Sequence, residues 1–147
     1  MDELRHAKSF RDLLVYQKAR QLSAEIFRLT KDFPREEMYS LTDQIRRSSR
    51  SVGAQIAETW AKRRYEKHFV SKLTDADGEQ QETRHWLDTA ADCGYLTRSQ
   101  ADDLVGKCAE VGRLLGGMMA KAHLFCGMTV AAIREPAADY FIGDHNH

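Results

Sequence analysis

Val15, Ala19, Leu22, Ile26, Leu29 and Phe33 are separated by alternating steps of four and three residues. That spacing lays six apolar side chains along one side of a helix. No strand period of two competes with it. The pattern then returns three times. A second stripe runs Leu41, Ile45, Ser48, Val52, Gln55/Ile56 and Thr59, with small or polar residues at some inward positions. A third runs Phe69, Leu73, Ala76, Gln80, Thr83, Leu87 and Ala90, and a fourth Leu104, Cys108, Val111, Leu115, Met118, Ala122 and Phe125. Four stripes of similar length joined by short connections predict an all-α fold, an antiparallel up-down four-helix bundle.

The punctuation agrees. Proline occurs twice, at Pro34 and Pro136. Pro34 disfavours helical geometry at Phe33, which ends the first helix near Lys31 or Asp32. Gly94 suits a helix C-terminus. Thr97 and Gln100 have the spacing of a capping box that starts the fourth helix. One domain is expected over 10–135, with flexible termini at 1–9 and 136–147.

The chain has 147 residues and a formal net charge of +0, so no global charge draws it to nucleic acid or membrane. The neutrality hides two opposed segments. Gln44 to Lys72 holds eight Lys/Arg against two Glu, and Asp75 to Asp103 eight Asp/Glu against two Arg. The two can pair within the fold or between subunits. No stretch nears the roughly 20 apolar residues of a membrane span. The N-terminal residues lack an apolar signal region, and Cys93, Cys108 and Cys126 form no CxxC pair. A cytoplasmic protein with reduced thiols is expected.

The segment IRRSSRSVGAQIAE, Ile45 to Glu58, asks most of one helix. Ile45, Ser48, Val52 and Ile56 share the bundle side. Arg46, Arg50, Gly53 and Ala57 fall on another side, with Ala54 beside them. Small residues there suit either extra packing within the chain or a subunit contact. Gly112 and Gly116, four apart on the fourth helix, carry the same two readings. Arg46, Arg47 and Arg50, and then Lys62, Arg63 and Arg64, supply donors suited to phosphate, with Trp60 and Tyr65 nearby for base stacking. The competing reading is a solvated basic face, or ion pairs to the acidic third helix.

Catalysis has little support. Glu82-Thr83-Arg84-His85 offers one Glu-x-x-His, where carboxylate-bridged bundles need two plus further carboxylates. His145 and His147 near the end have no patterned partners. No metal, cofactor or catalytic residue is expected, and a metal-dependent bundle enzyme is the remotest alternative.

The stretches DLLVYQKA, FPREEMYSLTDQIRRSS and SVGAQIAE, with the Gly78/Glu82 spacing, resemble the bacterial family of large-subunit rRNA intervening-sequence proteins over Phe10 to Met119. The resemblance implies a four-helix bundle that forms a homo-oligomer, a five-membered ring. Accessory proteins of diversity-generating retroelements look similar in fold. They imply RNA or DNA, or a reverse-transcriptase-like enzyme, as partner beside self-association. Two departures stand out. Gln55 and Thr59 replace an Asn and a Gly common in the family, which suggests a smoother passage from the second helix towards Trp60, or a differently shaped turn. Gly78-Glu79 replaces a Gly-Ser. A purely structural oligomer without a nucleic-acid role is the main alternative.

Overall fold

The computed structural model describes residues 8–127. The expected flexible residues 136–147 lie outside that range, as do 1–7 and the stretch 128–135 assigned to the domain. Five helices are described: α1 (Leu14–Thr30), α2 (Leu41–Ala61), α3 (Glu66–Asp92), α4 (Arg98–Ala120) and the single turn α5 (Ala122–Phe125). Short 3₁₀ turns at Phe10–Asp12 and Arg35–Glu37 precede α1 and α2.

Each boundary has a local cause. Ser9 and Asp12 cap the first 3₁₀ turn reciprocally, which ties the chain down at residue 9. Thr97 accepts from the Gln100 amide while Gln100 reaches back, so the expected capping box starts α4. Gly94 ends α3 at φ 79°, a conformation that suits glycine. α1 stops at Thr30, whose hydroxyl donates to the Ile26 carbonyl, and Phe33 and Pro34 then turn the chain.

The long helices form a closed ring of neighbours: α1 meets α2 and α4, and α3 meets α2 and α4. Cross-helix pairs run in opposite chain directions. Arg47 meets Glu82 while Glu58 meets Lys72, and Lys18 meets Glu110 while Glu25 meets Lys107. The bundle is therefore antiparallel, up and down. The third stripe is buried at every position expected of it. In the first, Leu29 is only half-buried and Thr30 takes an inward place instead. The fourth stripe spans a break at Lys121, beyond which Ala122 and Phe125 continue the core from α5.

The interior is two apolar clusters rather than one. One holds Val15, Ala19, Val52, Ile56, Phe69, Leu73, Val111, Leu115, Met118 and Phe125. The other holds Leu22, Ile26, Phe33, Ile45, Leu87, Leu104 and Cys108. Polar residues lie between them. Thr83 Oγ1 bonds Ser48 Oγ at 2.9 Å, and Gln80, 1% exposed, donates to Asp77 at 2.9 Å. Gly112 on α4 faces this layer. A Cβ there would approach Gln80 Nε2 to 2.6 Å, so the glycine makes room for a buried amide. The glycines expected to serve a subunit contact thus differ: Gly112 has a packing reason within the chain, whereas a Cβ on Gly116 would meet nothing within 4 Å.

Candidate functional site

The bundle buries one side of α2 and leaves the arginine side outward. Arg46, Arg47 and Arg50 line a groove of about 490 Å³ together with Met38, Thr42, Asp43, Ser51 and Ala54. The three arginines are not equivalent. Arg47 reaches across to α3, where it pairs with Glu82 and lies 3.8 Å from Glu79. It serves the α2–α3 seam, the competing reading of the basic segment. Burial pushes the Glu79 carboxyl above its ordinary pKa and the adjacent Glu82 charge adds to the shift. Glu82 moves the other way, stabilised as a carboxylate by the Trp86 indole N–H at 3.0 Å and by Arg47.

Arg46 and Arg50 turn to α1. Their guanidinium carbons lie 4.7 and 5.3 Å from the centroid of Phe27. Arg46 Nε also donates to Thr30 Oγ1 at 2.8 Å. Lys31, one turn beyond Phe27, places its ammonium 5.0 Å from the same centroid. One aromatic ring therefore gathers three cations, each attracted to its π system. Phe27, Thr30, Lys31 and Thr42 were not legible as site residues. Phe27 sits beside the apolar stripe rather than on it, and its link to α2 arises only when the helices pack.

The second basic cluster is elsewhere. Arg63 lies 3.6 Å from the centroid of the Trp60 ring and donates to the Trp60 carbonyl at 2.8 Å, and its burial lowers its pKa. Lys62 and Arg64 are exposed. Eleven helical steps carry α2 from Arg50 to its end at Ala61, roughly 16 Å along the axis, and Arg63 lies beyond it, so the two clusters form separate surfaces. The passage through Thr59 is smooth: its hydroxyl bonds the Gln55 carbonyl at 2.9 Å and α2 continues to Ala61.

Below the arginines the outer side of α2 carries the small residues. Gly53, Ala54 and Ala57 line a second groove, about 190 Å³, with Phe10, Tyr16, Ala19, Arg20, Ser23 and Arg50. Tyr16 covers part of it: a Cβ on Gly53 would sit 3.7 Å from the Tyr16 ring. Ala54 stays exposed. Within-chain packing thus occupies half of this side and leaves the rest open. No group of three or more His, Cys, Asp or Glu among the described residues has a metal-binding arrangement. Burial pushes the Cys108 thiol up to about 12 and Cys126 to about 11, which keeps both protonated at neutral pH.

The 23S rRNA-intervening sequence protein family model matches residues 11–117. The chain belongs to this family. A solved structure from Bacteroides thetaiotaomicron, described as a protein of unknown function from the S23 ribosomal protein family, is similar at 28% identity and a TM-score of 0.65. The match covers 73% of this chain and 96% of that one. A comparison with curated proteins finds no match.

Proposed function

We propose that this family member is a non-enzymatic homo-oligomeric scaffold, a pentamer, that holds RNA, DNA or an enzyme acting on them. The observation that supports this reading is the division of the outer side of α2. Gly53, Ala54 and Ala57 border a groove that Tyr16 covers only in part, and Arg50 and Arg46 stand one and two turns further along. Small residues at a helix surface permit close approach, and arginine forks suit phosphate. Self-association through the lower half sets the upper halves of several copies side by side, which raises effective concentration for a long polyanion.

Light scattering tests the assembly. The expected mass is close to five times the 16.8 kDa chain. Ala54→Glu places a charge in the groove and should lower that mass while leaving helix content unchanged. A wild-type monomer at tens of micromolar would remove the reading.

A further inference from the structure

Three cations around one ring need a counter-charge. Lys31, Arg46 and Arg50 all lie near the Phe27 centroid, so any two of their charges are no more than about 10 Å apart, close to one screening length. Among the described residues none of the three has a carboxylate within ion-pair distance. Some cations of the bundle do hold a carboxylate, Arg47, Lys72, Arg98 and Lys107 among them. Asp43 lines the same groove and makes no ion pair with Arg46 or Arg50.

Thr42 supplies a second, independent observation. It lines the groove one turn before Arg46, is 5% exposed, and its Oγ1 has no hydrogen-bond partner. A buried hydroxyl without a partner costs free energy, which a hydrogen-bonding group seated in the groove would recover. Thr42, Arg46 and Arg50 follow one another in steps of four on α2, with Thr42 in the first turn, next to the Leu41 amide that the Glu37 carboxylate takes.

We infer that Thr42, Arg46 and Arg50, with Lys31 beside them, form an oxyanion site for a phosphate group. The inference rests on the proposed nucleic-acid contact for its biological setting and names the residues and chemistry of that contact. The hydroxyl donates one bond, the two guanidinium groups supply planar donors, and Phe27 holds both guanidiniums in place beforehand. Arg47 lines the same groove but is held by Glu82, and the Lys62–Arg64 cluster lies on another surface.

Two readouts on the full chain test it. The first is the melting temperature in inorganic phosphate against chloride at equal ionic strength. The second is anisotropy of a labelled oligouridylate at several salt concentrations. Wild type should gain stability saturably with phosphate. Arg46→Gln/Arg50→Gln and Thr42→Val should each lose that gain. The double variant should bind oligouridylate about tenfold or more weakly, with a salt slope reduced by about two. Lys62→Gln/Arg64→Gln should stay within about twofold of wild type, since that cluster belongs to another surface. Should the double variant fail to fold, Arg50→Gln alone, at an exposed position, should lose the phosphate gain and reduce the salt slope by about one.

A phosphate response without oligouridylate binding assigns the site to a free phosphoryl ligand, and both responses together assign it to a polynucleotide backbone. A wild type that answers to neither ligand overturns the site. So does a double variant that keeps the wild-type response, or one that loses only oligomer mass, which would make these cations a subunit contact. A monomeric wild type that still responds to phosphate would instead remove the assembly and leave the site standing.

Discussion

At the scale of single residues, glycines separate two effects that a sequence pattern merges. Gly112 and Gly78 both lie inside long, unbroken helices. A Cβ at Gly78 would meet nothing within 4 Å, and one at Gly112 would strike the buried Gln80 amide and come within 3.2 Å of Asp77 Oδ1. Gly78→Ala should therefore stabilise the fold by about 0.5–1 kcal/mol through backbone entropy alone. Gly112→Ala gains the same propensity but breaks the Gln80–Asp77 bond and strands polar groups, at about 1–3 kcal/mol. The net expectation is a loss of about 1 kcal/mol, measured by urea unfolding of both variants. The four-residue spacing of Gly112 and Gly116 was visible in the sequence. The spacing already set Gln80 on the inward stripe, but not that its amide stands against Gly112, because that contact arises only when α3 and α4 pack. Glu79 gives a second residue-scale test. Its folded pKa is raised, so the native state holds a proton longer than the unfolded chain. Stability then falls as pH rises from about 4.5 through the folded value. Glu79→Gln should remove that slope, so that its melting temperature changes less than that of the wild type between acid and neutral pH.

At the scale of elements, the four stripes were legible because burial along a helix is a local, periodic demand, and the phase of each stripe survives in the structure. The connections were legible only in part. Thr97 and Gly94 announce themselves by residue type. The Glu37 carboxylate does not. It accepts from Ser40 Oγ at 2.7 Å, from the Leu41 amide at 3.3 Å and from the Tyr95 hydroxyl at 2.9 Å. One side chain thereby starts α2 and ties the turn before it to the turn between α3 and α4, 58 residues away. The Ser40 and Tyr95 bonds lower the Glu37 pKa, and the bond to Glu37 raises the Tyr95 phenol to about 12. The phenol stays protonated in the native chain where the unfolded chain has ionised. Its contribution is present below the ordinary value of about 10 and is lost as pH rises towards about 12. Tyr95→Phe should flatten the alkaline unfolding curve over that window and lower the melting temperature at pH 7. An unchanged alkaline midpoint would remove the latch.

At the scale of the whole molecule, two apolar clusters meet through a polar layer, and α5 closes one of them. Phe125 is 1% exposed and stacks with Phe69 at a centroid distance of 5.8 Å, beyond the break that ends α4. Phe69 begins the third stripe and Phe125 ends the fourth, so this pair joins the start of α3 to the last described turn of the chain. The seal belongs to one cluster alone, since the other cluster contains neither ring. Phe125→Ala should cost about 3–5 kcal/mol, the usual range for deleting a buried aromatic. The loss should be uneven. Amides of α3 near Phe69 and Leu73 should exchange with solvent much faster, and those near Leu87 and Ala90 should change less, if the polar layer of Ser48, Gln80 and Thr83 divides the bundle into two partly independent units. Hydrogen exchange resolved along α3 measures this directly. Equal loss of protection at both ends would show instead that the Ser48–Thr83 bond couples the two clusters into one cooperative unit.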